Sequence, residues 1–218
     1  MGHAHAGDAE GNHPLITIID YGLGNIGAFA NVYRRMNVPF SVAKTAEELS
    51  SAERIILPGV GSFDHAMDLL DQSGMREMLD DLVTVRKAPV LGVCVGMQIL
   101  GSGSDEGTRE GLGWVPGRVR HFAHIHGNQP LPLPHMGWND VQPHADQPLF
   151  RGLESDARFY FLHSFYFEAE QPEHVAATAI YGPEFGCAVR NGNVFGAQFH
   201  PEKSHQYGAA LLKNFAEV

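Results

Sequence analysis

From Leu15 to Leu100, short apolar runs closed by glycine turns alternate with stretches of helical period. Leu15–Asp20, Val38–Ala43, Arg54–Leu57 and Pro89–Val93 read as buried strands. Between them, Asn25 caps a helix whose apolar face is Phe29, Val32, Tyr33 and Met36. Thr45 and Glu48 form a capping box. A helical pattern starts at Phe63 and breaks near Ser73-Gly74, and another runs from Val95 to Leu100. Strands joined through helices require a parallel sheet covered on both faces, an α/β fold.

After Gly101 the texture changes to short β-like runs: Arg118–Phe122, Phe159–His163, Val175–Tyr181, Cys187–Arg190 and Val194–Phe199. Asn191-Gly192-Asn193 is a hairpin signal, and His205–Ala216 reads as a last helix. These runs make the sheet mixed and leave one domain over residues 14–218, preceded by a polar tail at 1–13.

With 15 basic against 25 acidic residues, the net charge of −10 disfavours a nucleic-acid binder. No apolar run is long enough to span a membrane, and no signal-peptide core stands at the start. Two cysteines make no disulfide framework, so a reduced, cytoplasmic protein is expected.

Gly92-Val93-Cys94-Val95-Gly96 lies between a strand and a helical pattern, the arrangement of a nucleophile elbow with Cys for Ser. A thiol at a helix start meets the positive end of the peptide dipoles. The competing reading is a buried structural cysteine. The base for such a thiol is His200, 106 positions on, with Glu202 two residues beyond it. In extended chain that spacing puts both side chains on one side, so the carboxylate reaches the ring. Without the thiol, the pair reads as a strand-end His and its cap. Cys187 lacks the elbow glycines and reads as core.

Pro58-Gly59-Val60-Gly61 brings backbone N–H groups to the sheet's carboxyl edge, where with Val95 N–H they suit an oxyanion; an ordinary turn is the alternative. Gly22-Leu23-Gly24-Asn25-Ile26-Gly27 matches a dinucleotide fingerprint. The second strand ends in Ala43-Lys44 where an acidic residue belongs, leaving only a 2′-phosphate site as a distant alternative. His121, His124 and His126, with His135 nearby, form a histidine-rich stretch in which His124 and His126 share a strand face; it reads as an exposed hairpin, and no metal is assigned.

Leu91–Gln98 and Gln198–Ser204 resemble the two marks of the class I, triad-type glutamine amidotransferases. Asp20–Asn25, Leu57–Gly61, Pro134–Asn139 and Phe159–Ser164 are similar to the glutaminase subunits of imidazole glycerol phosphate synthases, in their order, from about Ile16 to Phe215. The resemblance implies the flavodoxin-like fold of that family, with a mostly parallel mixed sheet flanked by helices. It implies Cys94 as nucleophile, His200 as proton shuttle and Glu202 as its orienting carboxylate. Val60 and Val95 would form the oxyanion site, and Gly59, Gln98, Glu106, Ser164 and Phe165 would hold glutamine. Trp138 would face a partner, a (β/α)8-barrel cyclase that takes the ammonia, in a heterodimer needing no cofactor. Asn31 and Lys203-Ser204-His205 look like a paralogous branch that supplies ammonia for an amidino sugar, so the acceptor stays open.

Overall fold

All four residues of the first strand, β1 (Ile16–Ile19), are buried, as a strand covered on both faces requires. The computed structural model describes residues 15–125 and 131–218. The expected tail at 1–13, and His126, lie outside the described residues. The Asn25 side chain accepts from Ala28 N–H at 3.1 Å and starts α1 (Ile26–Arg35). Phe29 and Tyr33 of that helix are buried against the sheet, each stabilising by roughly 1.5–3 kcal/mol. β2 (Phe40–Ala43) follows, then α2 (Ala46–Leu49), whose cap Thr45 accepts from Glu48 N–H at 3.2 Å. The Glu48 carboxylate reaches one residue further back than the capping box predicts, to Lys44 N–H at 2.7 Å.

β3 (Arg54–Gly59) runs two residues past its expected end, through Pro58 and Gly59. Proline is tolerated because the β1 ladder stops at Ile56, leaving Pro58 paired with β4 alone. α3 (Phe63–Gln72) and α4 (Arg76–Asp80) lead to β4 (Val90–Cys94), and α5 (Val95–Gln98) begins at the next residue.

The second half supplies β5 (Gly117–His121), β6 (His135–Asp140), β7 (Gln142–Pro143), β8 (Arg158–His163), β9 (Phe165–Ala169), β10 (Val175–Ile180), β11 (Glu184–Asn191) and β12 (Val194–Ala197). α6 (His205–Ala216) closes the chain and buries Leu211, Leu212 and Phe215. The main sheet runs β2-β1-β3-β4-β12-β11-β10-β7. Its pairs are parallel from β2 through β12 and antiparallel from β12 to β7. The Gly192-Asn193 turn joins β11 to β12 as the hairpin signal predicts. β5 pairs β9 and β6 pairs β8 in two small antiparallel ladders. The strands β6, β7 and β9 were not expected from periodicity: β6 sets Gly137 between an exposed Met136 and Trp138, and β7 is two residues long.

This topology puts the ends of β3 and β4 side by side at the carboxyl edge of the parallel half, with Gly59 opposite Cys94. No helix among the described residues is long and apolar enough to cross a membrane.

Candidate active site

Cys94 has φ +57° and ψ −114°, a conformation that costs a non-glycine residue of order 1–3 kcal/mol. The chain turns so sharply here that a Cβ on Gly92 would overlap the Gly96 carbonyl, and one on Gly96 would overlap the Leu57 carbonyl. Both elbow glycines are therefore steric requirements. The strain brings the thiol to the start of α5, at the wall of a cavity.

His200 follows β12 and presents its ring to that thiol. Its Nδ1 lies 2.8 Å from Glu202 Oε1, and the two side chains are 4% and 3% exposed. The approach is not that of extended chain. Pro201–Lys203 form a 3-10 turn, which folds Glu202 back beneath the ring it was expected to reach along a strand. The other carboxylate oxygen, Oε2, is buried with no hydrogen-bond partner among the described residues. Burial alone would lower the His200 pKa, but hydrogen bonds to Cys94 and Glu202 outweigh it and raise it to about 9. With Nδ1–H donating to the carboxylate, Nε2 is left to face sulfur.

The raised value fixes a pH dependence. Against about 6.5 in the unfolded chain, His200 contributes stability that is complete below pH 6.5 and is lost as pH rises through about 9. Glu202→Gln removes one of the two partners that raise this pKa, the other being Cys94, and is therefore expected to lower the melting temperature more at pH 6 than above pH 9. Melting curves of both proteins at the two pH values check this. An equal difference at both would refute the coupling.

The cavity holds about 280 Å³ and is lined by Cys94, Val95, Gln98, Glu106, Ser164 and Phe165, with Val60 and His200 among its other walls. This is near the lower end of ligand pockets, suited to an amino acid. Gln98 donates to Gln198 Oε1 at 3.1 Å, and Gln198 Nε2 lies 3.9 Å from the Cys94 sulfur. Glu106 is partly engaged: its Oε2 accepts from Phe63 N–H at 2.9 Å, at the start of α3. In return Asp64 accepts from Thr108 and Arg109 N–H at 2.9 and 3.0 Å. The two loops bordering the cavity are thus tied to each other. Those backbone donors hold the Asp64 carboxyl below the usual carboxylate range.

Gly59 is not among the lining residues. It is buried against the elbow, where a Cβ would overlap Gly96 N. Trp138 stands apart from the cavity on β6, 42% exposed and stacked on His205 at 5.4 Å. Cys187 is wholly buried, and burial pushes its thiol well above the ordinary range, so it is held as an inert thiol.

The remaining candidates find other uses. The Gly22–Gly27 turn packs on protein rather than framing a ligand loop. A Cβ on Gly24 would stand 2.6 Å from Pro58 Cβ, and Tyr21 hydroxyl donates to the Pro58 carbonyl at 2.7 Å. Lys44, the residue suited to a 2′-phosphate, pairs with Asp20 at 3.5 Å. His121 accepts from Ala123 N–H at 3.1 Å, and His124 pairs with Asp105 at 3.0 Å. His124 sits in a 3-10 turn, not on the strand face expected for it, and His126 is outside the described residues.

A buried thiol at a helix start on the wall of a small cavity of mixed polarity, with a buried His–Glu pair beside it, supplies the parts of a covalent acyl-transfer site. Comparison with known proteins agrees with this chemistry. The family model described as glutamine amidotransferase class-I matches residues 17–218. A protein from Bdellovibrio bacteriovorus named imidazole glycerol phosphate synthase subunit HisH is 62% identical over 204 residues, covering 94% of this chain and 100% of the relative. Proteins of that name from Leptospira interrogans, at 54%, and of the name HisH 2 from Pseudomonas aeruginosa, at 42%, match with the same coverage. Among solved structures, one described as a glutamine amidotransferase shares the fold with TM-score 0.71 at 19% identity, covering 93% of this chain and 99% of that one.

Proposed function

The chain belongs to the class-I glutamine amidotransferase family, and from that premise we propose that it is the glutaminase subunit of an imidazole glycerol phosphate synthase. In this reading it hydrolyses glutamine to glutamate and ammonia. The ammonia passes to a (β/α)8-barrel cyclase subunit, which forms imidazole glycerol phosphate and an aminoimidazole carboxamide ribotide for histidine synthesis. The observation that carries the chemistry is Cys94 on its strained elbow, facing a His200 that Glu202 holds at 2.8 Å.

Cys94 Sγ attacks the side-chain amide carbon of glutamine with its proton already resting on His200 Nε2, as the raised pKa of that ring favours. The tetrahedral oxyanion is met by the backbone N–H groups of Val60 and Val95, both at the cavity wall. His200 then hands its proton to the departing nitrogen, which leaves as ammonia, and a thioester remains on Cys94. Water attacks the thioester with His200 as base, releasing glutamate and restoring the thiol. Glu202 stays ionised throughout and orients the ring. Glu106, whose Oε2 caps α3, offers its other oxygen to the substrate ammonium. Gln98 and the backbone of Ser164 and Phe165 complete the fit.

The partner is supported by the surface next to this cavity. Met136 and Trp138 of β6 and Leu162 of β8 are 62%, 42% and 37% exposed, an apolar face on the small ladder that borders the pocket. A cytoplasmic site of action accords with two unpaired cysteines.

Genetic complementation tests the acceptor. Supplied with its cognate barrel protein, the chain is expected to restore growth without histidine to a strain lacking the glutaminase subunit. Continued histidine dependence, together with loss of an amidino sugar on deleting the gene, would move the chain to the paralogous branch.

A further inference from the structure

Two histidines outside the proposed triad meet in the aromatic core beneath the exposed ladder. β6 and β8 pair so that His135 stands opposite His163. His135 Nδ1 lies 2.9 Å from His163 Nε2, and His163 Nδ1 lies 2.7 Å from the Phe165 carbonyl oxygen. At the other end, Asn139 Nδ2 is 3.2 Å from His135 Nε2 and donates to the Ile180 carbonyl at 2.9 Å. The His135 ring stacks on Tyr181 at 4.0 Å and on Phe161 at 4.7 Å. Phe122 and Phe185 pack against His163.

The chain of contacts has one consistent proton arrangement. A carbonyl oxygen only accepts, so His163 Nδ1 carries the proton that reaches Phe165. Burial lowers the pKa of His163 to about 3 and of His135 to about 4, so both rings are neutral at pH 7. His163 Nε2 is then a bare acceptor and needs a donor, which only His135 Nδ1–H supplies in this contact. His135 Nε2 is bare in turn and accepts from Asn139, an amide nitrogen that can only donate. All the bonds therefore run in one direction, from Asn139 through both rings to the Phe165 carbonyl.

We propose that Asn139, His135 and His163 form a positioning relay that sets the Ser164–Phe165 backbone in the glutamine pocket and ties it to the exposed strand carrying Met136 and Trp138. The role at the pocket rests on the glutamine reading above. Two features argue for more than packing. The relay spends its terminal donor on the carbonyl of a residue that lines the cavity, and Phe122 N–H holds the neighbouring Ser164 carbonyl at 3.2 Å. Both peptide planes of the segment are thereby held. The relay also lies on the strand whose outward residues form the proposed partner face, so any shift of β6 is felt at Phe165.

His135 does not line the cavity, so His135→Phe tests the relay from a distance while keeping a flat ring for the stack. It strands His163 Nε2 without a donor. The expected result is a rise of about tenfold in KM for glutamine in the complex with the barrel partner. Labelling of Cys94 in the isolated chain by 6-diazo-5-oxo-L-norleucine should slow similarly. A purely structural role would lower the melting temperature and leave both unchanged. If His135→Phe fails to fold, nitrogen-15 NMR of the imidazoles in the unmodified chain decides. Two neutral Nδ1–H tautomers at pH 7 support the relay, and an imidazolium or an Nε2–H tautomer at either ring overturns it. Failure to label wild-type Cys94 would overturn the glutamine reading, whereas normal labelling and KM in folded His135→Phe would overturn the relay alone.

Discussion

Replacing Cys94 by alanine is expected to abolish glutamine-dependent turnover, by about 10⁴–10⁶-fold in kcat, while the cyclase reaction fed with free ammonia proceeds. The reason lies in what the elbow assembles. In the proposed mechanism every step by His200 follows attack by the Cys94 sulfur, and without that sulfur no thioester forms. Cys187→Ala is the matched control. That thiol is wholly buried in β11, 0% exposed, with its ionisation suppressed by burial. Its removal is expected to cost packing and leave glutaminase activity largely intact. Glutamate release and ammonia-dependent turnover, measured side by side for the two variants, separate the roles. Loss of acylation in a folded Cys187→Ala protein would reverse the assignment.

The parts of this site that were readable in the sequence are those whose chemistry is local. Gly92 and Gly96 flank Cys94 because a strand-to-helix turn that sharp has no room for a Cβ. Asn25, Thr45 and Gly192-Asn193 work within a few residues of themselves, and each cap or turn formed. What stayed hidden depends on register or on a neighbouring element. Pro58 continues β3 only because β1 has ended beside it, a fact of the sheet and not of the tetrapeptide. His135 and His163 both stand in recognisable motifs, yet their contact exists only through the pairing of β6 with β8, and β6 itself lacks clear alternation. The His200–Glu202 contact was anticipated for the wrong local geometry, since Pro201 opens a 3-10 turn. The Glu106 bond to Phe63 joins loops 43 residues apart and leaves no trace in spacing.

The isolated chain is expected to be a slow glutaminase that its partner accelerates about 10²–10³-fold in kcat, the usual worth of one oxyanion donor or roughly 3–4 kcal/mol. The segment supplying that donor is short and anchored at both ends. On one side the Pro58 carbonyl is held by Tyr21 hydroxyl at 2.7 Å. On the other, Phe63 N–H is held by Glu106, and Asp64 by the backbone of Thr108 and Arg109. Only Gly59, Val60, Gly61 and Ser62 lie between, and Gly61 already sits at φ +89°. Glycine on either side lets the Gly59–Val60 peptide rotate at low steric cost, turning the Val60 N–H toward or away from the oxyanion position. Val60 is 40% exposed beside the apolar ladder, so a protein docked on that face meets it directly. A partner that binds the donor-in arrangement more tightly raises its population by that difference in affinity. Because the oxyanion exists only after attack, the gain falls on kcat, and KM for glutamine changes little. Val60→Pro deletes the N–H and is expected to remove most of the acceleration without preventing assembly. Steady-state glutamate release from the chain alone, with the barrel protein, and with barrel plus acceptor ligand measures each step. Full activity in the chain alone would reject the gate and leave the triad standing, because nucleophile and base are already in place without a partner.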